Sequence, residues 1–417
     1  MVTFTDTAAP VAVGQQRQEY RAAAAVLMAL FFAIGFLTCL NDIIIPHFKT
    51  VFALNYTRAM LIQFCFFTAY FVVSPPAGFA VRRLGYKNSI LIGLAVAALG
   101  CFLFYPAAVL RSYGVFLAAF FILASGFTVL QVAVNPYAAI LGSPETASSR
   151  LTLTQAFNSL GTAIAPYFGS RVILSSVTSE AGDPAAAAKS VQAPYLAFAA
   201  ILVVMMVALA LFRLPDARAE ESARGGESVW SHAPLVFGAI GIFVYVGAEV
   251  SIGSILVNFL SQPSVLAVDA TTAATYVTYY WGGAMVGRFV GSAVLRAVSP
   301  SRVLAVFAAV AIALVGATIL LSGPVAMVTI LAVGLFNSIM FPTIFTLAID
   351  GLGQRTGEGS GILCMAIVGG AIIPVIEGYV ADHASVHLAF IVPLICYGYI
   401  VWYGLVGSKM AFKSVVR

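Results

Sequence analysis

Long apolar runs recur along the whole sequence and constrain its fold more than any other feature. Of the 417 residues, 61% are hydrophobic and 9% are charged, whereas about 25% of the residues of a soluble domain are charged. The runs are far longer than the ~10 residues of a membrane-barrel strand and reach the ~20 residues that a helix needs to cross a bilayer. The sequence therefore predicts an integral membrane protein of the all-α class.

The apolar runs and the polar breaks between them predict twelve transmembrane helices. The predicted spans are 22–48, 59–81, 88–110, 113–141, 150–175, 194–213, 233–260, 272–297, 301–322, 324–350, 357–380 and 385–408. The longest polar break between spans divides six of them from six. We therefore expect an N-terminal tail at 1–21, a first half at 22–213, a linker at 214–232, a second half at 233–408 and a C-terminal tail at 409–417.

Basic residues indicate the orientation. If both termini are cytoplasmic, 16 of the 21 Lys and Arg residues, Arg288 among them, fall on or near the cytoplasmic side and 5 fall outside. Cytoplasmic loops of helical membrane proteins carry this excess, so the net charge of +5 does not indicate a nucleic-acid partner. We expect a monomer in the cell's inner (plasma) membrane, with both termini in the cytoplasm.

The sequence offers no sign of an enzyme or of a metal centre. The five cysteines are scattered through apolar runs without CxxC or Cys/His spacing, a pattern that indicates neither a disulfide framework nor a zinc site. There is also no nucleophile–base pair, phosphate-binding loop or metal-ligand cluster. We therefore reject an enzyme and expect no cofactor.

The two halves repeat in sequence. Gly161-Thr-Ala-Ile-Ala-Pro166 recurs as Gly369-Gly-Ala-Ile-Ile-Pro374 at an offset of 208 residues, and Gln131 and Asn337 are related by an offset of 206. Two motifs at nearly one offset indicate parallel six-helix halves. This arrangement resembles the major facilitator architecture, in which the site lies between the halves near the membrane midplane.

The loop between the second and third spans adds to this resemblance. Gly78-Phe-Ala-Val-Arg-Arg-Leu-Gly-Tyr-Lys87 is similar to the loop signature of the major facilitators, but Arg82 stands where that signature has Asp. The departure argues against the usual charge lock. A basic loop on the cytoplasmic side explains the segment almost as well.

Asn41 and Asp42 interrupt an otherwise apolar helix. A carboxylate at the bilayer centre costs ~2.5–3.5 kcal/mol on insertion scales, so such a group is functional by default. At ~1.5 Å per residue, a span that begins near residue 22 carries Asp42 well towards the outer side, and a place near the outer headgroups is the alternative. The amide of Asn41 and the polar residues of later helices favour a functional site.

Four side-chain amides of the first half fall on two helix faces. Gln131 and Asn135 are four residues apart on the fourth span, and Gln155 and Asn158 are three apart on the fifth, so each pair shares a face. Amides supply the paired donors and acceptors that suit sugar hydroxyls. We predict that they line a cavity with Asp42; hydrogen bonding between helices is the alternative.

The second half offers fewer polar groups and more aromatic ones. Glu249 lies about where the repeat places a partner for Asp42, and functional and structural interpretations of it stay open. The other candidates for substrate contact are Asn258, Trp281, Asn337 and Phe341. Glu377, near the outer end of the eleventh span, is expected at the membrane interface.

Several segments that contain these residues resemble those of a known family. The chain resembles the fucose:proton symporter family of the major facilitators, and most closely its glucose/galactose transporter branch. The segments that carry the resemblance are Asn41-Asp42, Leu130–Tyr137, Leu153–Gly161, Tyr245–Glu249 and Phe336–Thr343. The resemblance implies that Asp42 is the coupling aspartate and that Gln155 and Asn158 contact sugar. Fucose transporters have a second acidic residue where this chain and the glucose/galactose branch have Gln131, and a Gln cannot titrate.

The coupling ion stays open between a proton and sodium. Asp42 can carry one proton. Alternatively, Asp42, Asn41 and Thr38 can bind Na⁺ together with a backbone carbonyl, because this ion prefers hard oxygen ligands.

We hypothesise a cation-coupled importer of a neutral hexose, glucose or galactose, that works by rocking its halves about a central cavity within the lipid bilayer. Two alternatives are a drug or metabolite exporter, which Ala165-Pro-Tyr-Phe-Gly169 loosely suggests, and a membrane sensor that binds sugar without moving it. The many amides favour the importer over the exporter. The short polar tails leave no room for a sensor domain.

Overall fold

The computed structural model describes residues 20–39, 56–110, 112–168, 192–215 and 228–411, and the regular elements within these ranges are helices. The α-helices are α1 (Tyr20–Cys39), α2 (Tyr56–Leu110), α3 (Tyr113–Ile140), α4 (Ala147–Phe168), α5 (Gln192–Leu211), α6 (Ala233–Leu260), α7 (Ala270–Ala297), α8 (Pro300–Leu320), α9 (Gly323–Asn337), α10 (Met340–Ile349), α11 (Thr356–Met365), α12 (Gly369–His383), α13 (Val386–Ala389) and α14 (Ile391–Leu405). Of the predicted linker 214–232, only the two ends belong to these ranges.

The helices of the described ranges account for twelve crossings. Nine stretches are long and apolar enough to span a membrane. One of them, Phe64–Leu110, has 47 residues and crosses twice, because Gly85 breaks α2 at a φ of 79°. The nine stretches therefore make ten crossings, and the less apolar helices α4 and α7 add two more. These two helices pack against each other, so part of their polar surface faces protein instead of lipid.

Three of the predicted spans are each built from two helices, and one of them, 385–408, divides into α13 and α14. The span 324–350 divides into α9 and α10, and the span 357–380 divides into α11 and α12 around a 3₁₀ turn at Ala366–Val368. Pro342 explains the first break. It has no N–H, and its ring excludes the normal bond to the carbonyl of Ser338 four residues earlier.

Glycine packing repeats between the halves. A Cβ on Gly161 of α4 would collide with the carbonyl oxygen of Phe32 on α1, and a Cβ on Gly369 of α12 would collide with that of Phe243 on α6. These glycines begin the repeated sequence motif, so the same close helix–helix contact occurs in each half. The packing agrees with the prediction of twelve helices in two pseudo-symmetric halves.

The halves meet along α4 and its neighbours in the second half. Ser148 Oγ lies 2.6 Å from Thr346 Oγ1, and Ser149 donates to the carbonyl of Ser292 at 2.6 Å. These residues lie near the first turn of α4 and towards the last turns of α10 and α7. The contacts therefore close the bundle at the end where α3 joins α4.

A second seam joins α2 to α11 at the same end. A Cβ on Gly78 would lie 2.7 Å from the carbonyl oxygen of Gly357, so the two backbones nearly touch. Arg82 Nη1 lies 2.6 Å from Glu358 Oε1, in the first turn of α11. The departure at Arg82 argued against a charge lock, but the structure forms an ion pair here with a cation in the place of the usual acid.

Candidate functional site

The first cluster of predicted site residues lies only partly within the described residues. Asn41 and Asp42 lie outside them, so the roles of both side chains stay predictions. Thr38 is in the last turn of α1, where its hydroxyl donates to the carbonyls of Ile34 and Gly35 at 2.8 and 3.1 Å. Its oxygen lone pairs stay available to a ligand, as a sodium site would require.

Asn135 and Gln155 form a buried amide pair between α3 and α4. Gln155 Nε2 donates to Asn135 Oδ1 at 3.0 Å, and Asn135 is 0% exposed. The Nδ2 of Asn135 has no hydrogen-bond partner among the described residues, and the thiol near it, Cys364, is a weak acceptor. Leaving a buried donor unpaired costs ~1–3 kcal/mol, so this NH₂ group is poised to donate to a polar ligand.

Gln131 and Asn158 are half-buried and hold helices together. Gln131 Nε2 donates to the hydroxyl of Tyr70 on α2 at 2.9 Å. Asn158 Nδ2 donates to the carbonyl of Phe31 on α1 at 3.0 Å. Each amide keeps its side-chain oxygen as an acceptor, so hydrogen bonding between helices and ligand contact are compatible at both positions.

Asn337 occupies the centre of a buried network in the second half. Its Nδ2 donates to the Tyr280 hydroxyl at 2.8 Å, and its Oδ1 accepts from Tyr397 at 2.7 Å. The hydroxyl of Tyr245 donates to the Asn337 backbone carbonyl at 3.1 Å. The amide is fully buried and its donor and acceptor are both engaged, so in this conformation it joins α7, α9 and α14.

Glu249 and Arg288 lie beside this network. Tyr245 donates to Glu249 Oε1 at 2.8 Å, and Arg288 Nη2 lies 3.9 Å from the same oxygen. Arg288 also donates through Nε to the carbonyl of Ser338 at 3.2 Å and through Nη1 to Ser159 Oγ. Because Ser159 belongs to α4, Arg288 connects the two halves next to the amide pair.

Proline frees two backbone carbonyls that side chains then use. Pro136 in α3 cannot bond the carbonyl of Val132, and Pro342 in α10 cannot bond that of Ser338. The Val132 carbonyl accepts from the hydroxyl of Ser360 at 2.7 Å, and the Ser338 carbonyl accepts from Arg288. Backbone groups without water at membrane depth need such partners. The related prolines of the two halves therefore each create an acceptor near the interface.

The remaining candidates of the second half are Phe341, Trp281 and Asn258. Phe341 is buried and stacks on Phe345, with ring centroids 5.9 Å apart. Trp281 is 41% exposed and meets Tyr280 edge-on. Asn258 is exposed near the end of α6. None of the hydrogen bonds or ring contacts of the described residues joins these three side chains to Asn135.

Two charged residues are more buried than their positions in the sequence suggest. Glu377 was expected at the membrane interface but is 1% exposed, with an unpaired Oε1 and with Ser251 of α6 near its carboxylate. Arg288 was counted among the basic residues on or near the cytoplasmic side; its side chain is 14% exposed and lies within α7. Position along the sequence gives depth in a helix but does not show which face meets another helix.

Sequence reasoning missed Arg288 and its contact Ser159 as site residues. A signal was available, because an arginine within an apolar span is as costly there as the carboxylate of Asp42 and equally indicates a function. For Ser159 no signal existed. A single serine in a helix rich in Ser and Thr does not stand out.

Comparisons with known proteins agree with this architecture. Residues 25–367 match the family described as the Major Facilitator Superfamily. The glucose/galactose transporter of Brucella abortus is 58% identical over 396 residues, which cover 94% of this chain and 96% of that protein. The L-fucose-proton symporter of Escherichia coli K12 is 34% identical over 418 residues, with 95% of each chain covered.

Solved structures are similar over the same length. The crystal structure of the transporter FucP in the outward conformation superposes with a TM-score of 0.86 at 32% identity, covering 94% of this chain and 100% of that one. The proton:xylose symporter XylE superposes with a TM-score of 0.70 at 10% identity over 93% of this chain and 95% of the other. The second likeness concerns the fold alone.

Proposed function

Because this chain belongs to the major facilitator superfamily, we propose that it is a secondary active transporter that imports a neutral hexose, glucose or galactose, by symport with protons. It is a multi-pass membrane protein and a transporter, not an enzyme. Relatives that are named glucose/galactose transporter reach 58% identity, and those named L-fucose-proton symporter are 34% and 28% identical.

The buried amide pair is the observation that carries the proposal. Asn135 and Gln155 present an NH₂ group that has no hydrogen-bond partner among the described residues. A neutral polyol matches such donors and acceptors, whereas an apolar drug leaves them unsatisfied. Together with Gln131 and Asn158, they form the sugar-binding face of the first half.

Asp42 is the coupling residue in this proposal, and a proton is the coupling ion. The names of the fucose relatives support the proton, and sodium held by Asp42, Asn41 and Thr38 stays the competing outcome of the test. Sugar and cation stabilise the same closed intermediate, so each raises the affinity of the protein for the other.

The orientation in this proposal places both termini in the cytoplasm of a cell whose plasma membrane holds the protein as a monomer. The excess of Lys and Arg on one side supports it. The end closed by Ser148, Thr346, Arg82 and Glu358 is then the cytoplasmic end. With this orientation we propose an outward-facing state, and the likeness to FucP in the outward conformation supports it.

The experiment is uptake of labelled glucose and galactose into proteoliposomes under an imposed proton gradient and, separately, an imposed sodium gradient. Wild type is compared with Asp42→Asn and with Asp382→Asn, a carboxylate exposed at the end of α12. We expect the proton gradient to drive accumulation, Asp42→Asn to abolish it while exchange persists, and Asp382→Asn to behave as wild type.

Each of the other possible results of this experiment indicates a different function. If only the sodium gradient drives accumulation, sodium is the coupling ion instead of the proton. Normal exchange without accumulation under either gradient makes the protein a uniporter. If gel filtration shows folded protein but neither accumulation nor exchange occurs, hexose transport is overturned. The exporter and sensor hypotheses then become the alternatives to test.

A further inference from the structure

A pair of opposite charges lies inside the membrane and plays no part in the function proposed above. Glu249 of α6 and Arg288 of α7 approach to 3.9 Å, and their side chains are 13% and 14% exposed. Ionisable groups at this depth are costly and usually belong to ion pathways or proton relays. The cost of burying the pair therefore indicates a role in transport.

Arg288 makes its shortest contacts with uncharged groups, one in each half. Its Nε bonds the carbonyl of Ser338 at 3.2 Å, and its Nη1 bonds the hydroxyl of Ser159. That hydroxyl also donates to the carbonyl of Gln155 at 3.3 Å. One guanidinium thus joins the second half to the helix that carries the sugar amides.

We infer that Glu249 accepts a proton during the transport cycle, an inference that rests on the proposed symport. Arg288 is the positioning residue: it transmits the charge state of Glu249 to Ser159. When Glu249 is ionised, the pair is neutral and Arg288 stays between the halves. When a proton from the outside forms an O–H bond on the carboxylate, the charge of the pair changes from 0 to +1.

The consequence is a weaker contact between the halves. An arginine without its counter-charge in a low-dielectric region is unstable, so Arg288 moves towards water and releases Ser159. The cytoplasmic end then opens, the carboxylate loses its proton to the cytoplasm, and the neutral pair forms again. One proton passes through Glu249 in each cycle, and no other reactant is needed.

Among the described residues, Arg288 is the charged contact of Glu249, and its other hydrogen-bond partners are uncharged tyrosines. Tyr245 of the same helix donates to its Oε1, and Tyr280 of α7 donates to its backbone carbonyl at 3.3 Å. Tyr397 of α14 donates to Asn337, which in turn bonds Tyr245 and Tyr280. Phenols keep one charge state between pH 5 and 8. Glu377 of α12 lies instead towards Ser251, further along α6.

Glu249→Gln is the central variant, because Gln retains an oxygen that can accept from Tyr245 but cannot ionise. Glu377→Gln is the matched control, a second buried carboxylate on the same half. In proteoliposomes we expect Glu249→Gln to keep sugar counterflow at equal pH within about twofold of wild type, as a 0.4 kcal/mol effect on rate would allow. Accumulation under a proton gradient should fall at least tenfold, while Glu377→Gln accumulates sugar as wild type does.

A second measurement needs no sugar. Cys364 is fully buried at the seam between α11 and the first half, so its alkylation by N-ethylmaleimide reports separation of the halves at this seam. At a fixed pH of about 7.5, within the range in which carboxylates are ordinarily ionised, Glu249→Gln should increase the alkylation rate several-fold, and so should Ser159→Ala. Glu377→Gln should leave it unchanged.

The two measurements separate failure of this inference from failure of the proposed function. If wild type does not accumulate hexose, the proposed function fails, and the alkylation rates still test the link between Glu249 and the interface. Driven accumulation by Glu249→Gln at the wild-type level, or an unchanged alkylation rate, overturns the inference. So does loss of counterflow in a folded protein, because it assigns Glu249 to sugar binding.

Arg288→Lys keeps the test decisive if Glu249→Gln does not yield folded protein. Lys retains the positive charge but cannot contact Glu249, Ser338 and Ser159 at once. We expect driven uptake to continue, with its pH midpoint moved to higher pH because the ionised carboxylate loses part of its stabilisation. An unchanged midpoint overturns the inference.

Discussion

Arg82 Nη1 lies 2.6 Å from Glu358 Oε1, and this ion pair joins the first half of the protein to the first turn of α11 in the second. A negative side chain near a helix N-terminus is favourable by itself, and the cation across the seam adds to it. The side chains are 37% and 21% exposed, and exposed pairs contribute ~0–1 kcal/mol. The pair therefore adjusts the closed state without being its main support.

Reversal of one charge should open this end of the protein. We expect Arg82→Glu to increase alkylation of Cys364 by up to about fivefold, which corresponds to ~1 kcal/mol, because two carboxylates then face each other. The double variant Arg82→Glu/Glu358→Arg should restore the wild-type rate.

Arg83→Glu is the control for this prediction. Its guanidinium lies over the ring of Phe79 at 4.3 Å, so the variant makes the same charge change one residue away. An equal effect of Arg83→Glu, or a double variant as reactive as the single one, would show that net charge and not the pair controls opening.

The repeated glycines should be sensitive to the smallest side chain. Gly161→Ala and Gly369→Ala each force a Cβ against a backbone carbonyl, and overpacking of this kind costs ~1–3 kcal/mol. We expect a lower unfolding temperature in detergent for both variants. Gly378→Ala, in the same helix as Gly369 but with no atom within 4 Å of its Cβ, should be neutral or slightly stabilising. Equal losses at all three positions would contradict the packing argument.

Asn337 should couple energetically to Tyr280. Asn337→Ala removes the donor to the Tyr280 hydroxyl and the acceptor of the Tyr397 hydroxyl. Hydrogen bonds between membrane helices contribute ~0.6 kcal/mol on average, with ~1.7 as the upper value. A double-mutant cycle of Asn337→Ala and Tyr280→Phe, followed by unfolding in detergent, should give a coupling in that range. A coupling near zero would mean that the buried network does not stabilise the second half.

The same cycle at Gln131→Ala and Tyr70→Phe provides the comparison in the first half. Gln131 Nε2 makes the equivalent bond to a tyrosine hydroxyl at 2.9 Å, but Gln131 is only half-buried. Water and substrate compete for a partly accessible amide, so the coupling should be smaller than the coupling at Asn337.

Gln155 should affect sugar binding more than stability. Gln155→Ala removes the donor to Asn135 Oδ1 and one candidate ligand group, and a hydrogen bond contributes ~0.5–1.5 kcal/mol. We expect the dissociation constant for glucose, measured by titration calorimetry, to rise about tenfold, the change equivalent to ~1.4 kcal/mol. Thr278→Val is the control, since that exposed hydroxyl bonds its own helix at Thr275. Unchanged affinity in Gln155→Ala would remove the amide pair from the sugar site.

Much of the fold could be predicted from the sequence because its cause is local. The apolar runs place twelve crossings, and the described helices begin and end within a few residues of most predicted spans. The division of 324–350 at Asn337 was not predicted, although Pro342 is its physical reason. A proline within a span bends or breaks a helix according to the partners that its freed carbonyl finds. Those partners, such as Arg288 for Ser338, come from other helices.

The site divides in the same way. The sequence by itself determined the membrane class, the repeated halves and the amide pairs of α3 and α4, because helical spacing fixes which residues share a face. Only the tertiary structure decided that Arg288 joins the halves, that Glu377 is buried and that Arg82 meets Glu358. Each of these depends on how one helix faces another, and the free energy of a charge in a membrane depends on the partner that this packing provides.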